Sequence, residues 1–146
     1  MSAAGAGGVP EEVARRLVED VWNGAAEDAA LDLVDPACPG GGPDGTLAWH
    51  RSTREAFPDL RYEVVAVVAA GDEVALRWHA TGTQRGAFGP VPPTGRRVAY
   101  AGATFLRVRA GRVVDVWSVN EQFRKLEQLG VTFAPPAAGG AVAEPG

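Results

Sequence analysis

Apolar residues recur at helical spacing in the N-terminal part of the chain. They form a broad stripe of Val13, Ala14, Leu17, Val18, Val21 and Trp22. This spacing is typical of an amphipathic helix, and Pro10 stands where such a helix can begin. A shorter helix is predicted over residues 26–34. After the Gly- and Pro-rich stretch "PACPGGGPDG", Asp44 is predicted to cap a third helix that runs until Pro58.

From Arg61 onward the pattern becomes alternating. "RYEVVAVVAAGDEVALRWHATGTQ" predicts two strands about a Gly71-Asp72 turn, and "RRVAYAGATFLRVRAGRVVDVWSVNE" predicts two more about Gly111. Three helices therefore precede four antiparallel strands. This segregated order is typical of an α+β domain with its helices on one face of a curved sheet.

The turn of the second hairpin determines which strand residues face each other. A three-residue loop, Arg109-Ala110-Gly111, requires positive φ only of the glycine, whereas a two-residue turn requires it of Ala110 as well. The longer loop pairs Arg107 with Val113, Phe105 with Asp115, Ala103 with Trp117, Ala101 with Val119 and Ala99 with Glu121. Three alanines then face larger residues, which predicts a pocket beside Trp117 and Glu121.

The last strand carries two carboxylates, Asp115 and Glu121, on the face that also holds Trp117 and Val119. Glu121 is either the first residue of the last helix, with Asn120 as its cap, or a carboxylate base in a pocket. Asp115 and Arg107 form either a structural ion pair or part of a site. Trp22, Trp78 and Trp117 either pack in the core or contact a ligand.

Length and composition limit the function classes. The chain has 146 residues, one cysteine and a formal net charge of -4. We predict one domain over 10–133, with unstructured tails at 1–9 and 134–146 because their Ala, Gly and Pro residues lack an apolar period. The scattered basic residues do not favour nucleic acid. No leader or membrane-spanning pattern is present, so a soluble cytoplasmic protein is expected. A single cysteine cannot form an internal disulfide, and only His50 and His79 could join Cys38 at a metal, so neither a disulfide framework nor a metal site is expected.

Several segments resemble the SnoaL-like polyketide cyclases of the nuclear transport factor-like superfamily. These are "VWN", "AFPDL", "AGDEVALRW", "TGTQRGAFGPVPPTGRRV", "FLRVRAGRVVDVW" and "QLG", which lie within residues 10–131. The resemblance implies a cone-shaped α+β barrel around an apolar cavity. It also implies ring closure by intramolecular aldol addition without a cofactor. The family's key acid, usually aspartate, corresponds to Glu121, while Gln84 stands where the family tends to have histidine.

These observations predict a cyclase acting on an apolar polycarbonyl or aromatic natural-product intermediate. Glu121 would remove a proton, Arg107 or Gln84 would stabilise the enolate, and Asp115 would orient Arg107. The predicted substrate-binding residues are Trp22, Phe57, Tyr62, Trp78, Phe105, Trp117 and Val119. An epoxide hydrolase or hydratase using Asp115, Arg107 and Glu121, and a non-catalytic binder, are the alternatives. A homodimer through the outer sheet face, which carries Arg77, His79, Thr81 and Thr83, is also predicted.

Overall fold

Helices form the N-terminal part of the chain in the computed structural model, which describes residues 3–138 and side chains from Val9 onward. Helix α1 spans Ala3–Arg16 and continues as a π-helical segment, Leu17–Trp22. A 3-10 turn at Glu27–Ala29 leads into α2, Ala30–Leu33, and α3 spans Gly42–Ala56. The last helix, α4, covers Gln122–Gln128.

Two predicted helix starts are wrong. Helix α1 begins at Ala3, so Pro10 lies inside it, and the backbone of residues 3–9 is helical where composition predicted an unstructured tail. The segment holds three alanines, which favour a helix, and three glycines, which disfavour it, so its composition alone does not account for the helix. Helix α3 begins two residues before Asp44 and is preceded by Gly41 at φ 94°, with no side-chain cap. A proline in its first turn presets the helical backbone there. Residues 1–2 and 139–146, which belong to the predicted tails, lie outside the described residues.

Four antiparallel strands follow α3 in the predicted order and form a curved sheet that does not close. They are β1 Arg61–Ala70, β2 Glu73–Thr83, β3 Arg97–Arg109 and β4 Arg112–Asn120. The sheet order is β1-β2-β3-β4. Its inner face packs on the helices, and the core includes Leu17, Val21, Leu33, Phe57, Leu76 and Val98. The α+β architecture is therefore confirmed.

The predicted register of the second hairpin is wrong. Arg109 pairs with Arg112, which leaves the two-residue turn Ala110-Gly111 with φ values of 51° and 76°. Left-handed backbone at Ala110 costs roughly 1–2 kcal/mol. The observed register compensates because it pairs Val108 with Val113, and both are buried in the core.

A β-bulge in β4 changes which residues face inward. Val108 pairs with Val113, but the next pair is Arg107 with Asp115, so Val114 has no partner residue. An extra residue in one strand interrupts the period-two alternation. Val113 faces the core. Beyond the bulge the even-numbered residues Val116, Ser118 and Asn120 line the cavity side of the sheet, although they remain exposed.

Candidate active site

The inner sheet face and the helices enclose a cavity of about 450 Å³. Its aromatic wall consists of Trp22, Trp49, Tyr62, Trp78, Phe88 and Tyr100. Adjacent rings in this wall meet edge-on or tilted, with centroids 5.0 Å apart for Tyr62 and Trp78 and 5.9 Å apart for Trp78 and Tyr100. Such contacts favour fixed ring orientations. A cavity of this size and character suits a flat apolar small molecule.

Two hydrogen bonds join the end of the first helical segment to strand β1. The Asn23 side chain donates to the Tyr62 carbonyl at 2.9 Å and accepts from the Tyr62 amide at 2.7 Å. These two bonds place Trp22 beside Tyr62, with 5.1 Å between their ring centroids. The "VWN" segment thus positions one wall of the cavity.

Two tyrosines supply hydroxyl groups to the cavity. Burial, followed by the neighbouring Tyr100, raises the pKa of Tyr62 well above its ordinary range. Burial also raises the pKa of Tyr100. Both hydroxyls therefore stay protonated near neutral pH and can donate hydrogen bonds to a developing oxyanion.

A short polar network crosses the sheet beneath the cavity. The Trp78 indole Nε1 donates to Thr104 Oγ1 at 3.0 Å, and Thr104 Oγ1 lies 2.8 Å from Ser118 Oγ. The tight packing of the Trp78 ring depends on Gly102, where an added Cβ would come within 2.3 Å of Trp78 Cζ2. Ser118 lines the cavity, so the network fixes a hydroxyl there as well as the indole.

Lys125 is the basic residue of the cavity lining, and sequence reasoning missed it. Helix α4 carries it, and its side chain is only 5 % exposed. Its Nζ lies over three rings, 4.7 Å from the centroid of Phe57, 4.2 Å from Phe88 and 4.6 Å from Tyr100. Burial lowers the pKa of Lys125 to about 8. Within residues 3–138, no carboxylate oxygen is paired with this amine within 4.0 Å.

Four predicted substrate-binding residues lie at or next to this cavity. Trp22, Tyr62 and Trp78 line it, and Phe57 is fully buried beneath Lys125. Trp22 and Trp78 are also core residues, so the two readings of these tryptophans are not exclusive.

The other three predicted substrate-binding residues lie on the opposite face of the sheet. Phe105, Trp117 and Val119 are 51 %, 58 % and 47 % exposed. Phe105 pairs with Trp117, and their ring centroids are 5.6 Å apart. For Trp117 and Val119 the bulge at Val114 is the cause, because it reverses the face on which the odd-numbered residues of β4 lie. Phe105 lies on β3, where its neighbours Thr104 and Leu106 face inward.

The predicted catalytic group is not brought together in the cavity. Glu121 is exposed, precedes α4 as its N-cap residue and accepts a hydrogen bond from the Ala101 amide through Oε1 at 2.8 Å. Arg107 Nη2 donates to Glu73 at 2.8 Å. The exposed Asp115 pairs across the strands with Arg107 but accepts a hydrogen bond from the Val116 amide. All three groups lie outside the cavity lining.

Gln84, predicted to stabilise the enolate, has a structural position and is not among the residues that line the cavity. It is fully buried, and its Nε2 donates to the Val91 carbonyl at 3.3 Å. Its Oε1 accepts from the amide and hydroxyl of Thr94 at 3.1 and 2.5 Å. These bonds occupy the amide group and hold the "VPPT" loop against β2.

Cys38 and His50 have separate surroundings in the fold. No three His, Cys, Asp or Glu residues within 3–138 are grouped as metal ligands would be. His50 is buried and lies 3.2 Å from Glu27 through Nε2, whereas Cys38 lines the cavity. No helix in the same range has the length and apolar character needed to cross a bilayer.

Comparison with known proteins assigns most of the chain to one family. The model of the SnoaL-like polyketide cyclase family matches residues 12–129. No curated protein matches the chain significantly.

Solved structures show the same fold. IdmH from Streptomyces antibioticus, named a "putative polyketide cyclase", is 32 % identical with a TM-score of 0.73, and the match covers 84 % of this chain and 99 % of IdmH. AclR from Streptomyces galilaeus, named a "putative hydroxylase", is 29 % identical with a TM-score of 0.72, covering 83 % and 95 %. A protein from Jannaschia sp. CCS1, named a "putative SnoaL-like polyketide cyclase", shares the fold at 24 % identity and a TM-score of 0.78, covering 88 % and 94 %. The chain therefore belongs to the SnoaL-like polyketide cyclase family.

Proposed function

We propose that this protein closes a ring in a polyketide or related polycarbonyl intermediate of natural-product biosynthesis, without a cofactor. The observation that carries the proposal is the aromatic cavity of about 450 Å³ with a buried amine and two tyrosine hydroxyls at its wall. A flat apolar substrate would stack against the rings while its carbonyl oxygens meet the polar groups. Family membership and the printed name of IdmH support the same reaction class.

Lys125, Tyr62 and Tyr100 are the groups proposed to act on the substrate. A methylene between two carbonyls is acidic, so a positioned base worth about 10² to 10⁴ in rate is sufficient. With a pKa of about 8, roughly a tenth of the Lys125 side chains are neutral at pH 7 and able to accept a proton. The tyrosine hydroxyls would stabilise the enolate oxygen by hydrogen bonds.

A hydrolase or hydratase is the less favoured alternative. Its trio would be Asp115, Arg107 and Glu121, but these side chains lie on the outer surface and Arg107 is paired with Glu73. The residues that line the cavity include no aspartate or glutamate. A non-catalytic binder would use the same aromatic wall without changing its ligand.

The deciding assay uses an aryl 1,3-diketone that also carries a methyl ketone placed to close a six-membered ring. Ring closure gives a product of equal mass, or of mass lower by one water after dehydration. A hydrolase or hydratase would instead add one water, which ¹⁸O-labelled solvent would reveal. Saturable binding with no product above the rate in buffer would contradict the cyclase proposal and support the binder.

Glu121→Gln tests the base predicted from the sequence against Lys125. Glutamine keeps an oxygen that can accept from the Ala101 amide, so we expect turnover within about threefold of wild type and a loss of at most roughly 1 kcal/mol in folding free energy. The assay above and a urea unfolding curve measure both. A loss of ~10² or more in turnover with unchanged stability would return the proton transfer to Glu121.

Homodimerisation through the outer sheet face is proposed from an exposed apolar row. Val68, Ala75, Phe105 and Trp117 are consecutive partners across the four strands, and three of them are large and exposed. The predicted orientation of β2 agrees, since Arg77 and His79 face outward while Leu76 and Trp78 face inward. Apolar rows of this kind commonly meet an identical row about a two-fold axis.

Trp117→Glu is expected to convert the dimer to monomer at micromolar concentration, because it places a charge at the centre of the apolar row. Light scattering measures the mass. Leu31→Glu is the matched control, since Leu31 is 53 % exposed on α2 rather than on the sheet. A wild-type protein of monomer mass would contradict the proposal.

A further inference from the structure

We propose that Lys125 acts by covalent catalysis, forming an imine with a ketone carbonyl of the substrate and closing the ring through the derived enamine. This inference rests on the proposed function and specifies how its buried amine works.

Lys125 combines several features suited to a nucleophilic amine. It is the chain's single lysine among 14 basic residues, and the others are arginines. Its side chain is 5 % exposed and lines the cavity. The described part of the chain offers it no carboxylate partner within 4.0 Å, so no ion pair holds the amine in its protonated form. Desolvated lysines of this kind are the ones that form Schiff bases.

The three aromatic rings around Nζ favour the covalent intermediate in particular. An ammonium group has three N–H donors that lose water on burial, whereas a protonated imine of a ketone has one and spreads its charge over carbon. Both cations interact with the faces of Phe57, Phe88 and Tyr100 at 4.2–4.7 Å. The iminium therefore keeps the attraction of the rings at a smaller desolvation cost.

The steps balance without an external oxidant or reductant. The neutral amine adds to a ketone, and the carbinolamine loses water to give the iminium. The tyrosinate left when a cavity tyrosine protonates the departing hydroxide takes the α-proton, which gives the enamine. The enamine carbon attacks a second carbonyl, which forms the new C–C bond and regenerates the iminium, while the resulting alkoxide takes up the proton of the tyrosine. Water then hydrolyses the iminium, which releases the cyclic ketone and the free amine. Tyr62 and Tyr100, which line the same cavity and remain protonated near neutral pH, are the groups proposed to deliver protons to the departing hydroxide and to the alkoxide. The tyrosinate takes back the proton that hydrolysis of the iminium releases.

Acetylacetone is the probe, because its two carbonyls convert an attacking amine to a stable enaminone that absorbs in the near ultraviolet. The wild-type protein, free of any lysine-containing tag, is incubated with it at pH 7. We expect an adduct with the mass of the diketone less one water, mapped to Lys125 by peptide mass spectrometry. The chain offers only the N-terminal amine as a second primary amine, and peptide mapping separates the two.

The double variant Arg124→Lys/Lys125→Arg moves the lysine by one residue to an exposed position on α4. An exposed lysine is ~10²-fold less often neutral at pH 7, so we expect its enaminone to form at least ~10-fold more slowly than that of wild type. Lys125→Met, which removes the amine altogether, should give no adduct at residue 125 and serves if the double variant does not fold.

The outcomes separate this inference from the proposed function. A rapid adduct at Lys125 supports the imine even if the ring-closure assay fails, in which case only the cyclase proposal falls. Ring closure by the wild-type protein without an adduct at Lys125 would overturn the imine and leave Lys125 as a proton acceptor. The same conclusion would follow if the wild-type adduct formed no faster than the adduct at the relocated, exposed lysine of the double variant.

Discussion

Lys125→Met is expected to lower the rate of ring closure by at least ~10²-fold, the minimum contribution of a positioned base or nucleophile. Methionine matches the length of lysine, is unbranched and packs well against aromatic rings. The cavity should therefore keep its shape while it loses its amine. The rate is measured with the aryl diketone probe, and circular dichroism verifies the fold.

Lys125→Arg distinguishes the amine from its charge. A guanidinium remains protonated at every accessible pH, so it can neither accept a proton nor form an imine. We expect this variant to be about as slow as Lys125→Met. Wild-type turnover in the methionine variant would remove Lys125 from the mechanism. Substantial turnover in the arginine variant alone would show that a positive charge beside the enolate is what matters.

The elements of the fold follow from local patterns in the sequence. The alternation on both sides of Gly71 and Gly111 predicts two hairpins, and both exist within a residue or two of their expected ends. Val13, Leu17 and Val21 predict the buried face of the first helix correctly. These predictions succeed because side-chain period and burial are coupled within one element.

The face of the last strand could not be predicted in the same way. Up to Val113 the alternation holds, but Val114 is inserted into the ladder as a bulge, and the strand beyond it presents Ser118 and Asn120 to the cavity instead of Trp117. A bulge depends on the partner strand and on how the hairpin turn fits the core. Nothing in "RVVDVWSVN" itself distinguishes Val114 from an ordinary strand residue.

Lys125 did leave a signal in the sequence. It is the single lysine in a chain whose other basic residues are arginines. It also lies four residues before Leu129, which places both on one face of the last helix, and both are buried. What the sequence cannot show is that Phe57, Phe88 and Tyr100, from three distant segments, converge on its amine.

Folding stability is expected to depend on pH through Lys125. Its pKa falls from an ordinary 10.5 to about 8 on folding, so between these values the unfolded chain binds more protons than the folded protein. The buried amine therefore destabilises the folded protein most below pH 8, and this destabilisation decreases as pH rises across that window. The raised pKa values of Tyr62 and Tyr100, which face the amine, make the folding free energy less favourable above about pH 10. Both tyrosines are present in wild type and in Lys125→Met, so their effect cancels when the two proteins are compared.

The comparison gives a measurable difference. At pH 7 the buried amine costs about 3 kcal/mol of folding free energy, and at pH 9.5 about 2 kcal/mol of that cost has disappeared. Urea unfolding of wild type and Lys125→Met at both values should show the gap in stability between them narrowing by this amount as pH rises. Arg124→Gln, a change of an exposed cation on the same helix, should leave the corresponding gap constant. An unchanged gap for Lys125→Met would mean that the amine keeps its ordinary pKa in the folded protein. It would then be protonated at neutral pH, and its roles as base and as nucleophile would both fail together.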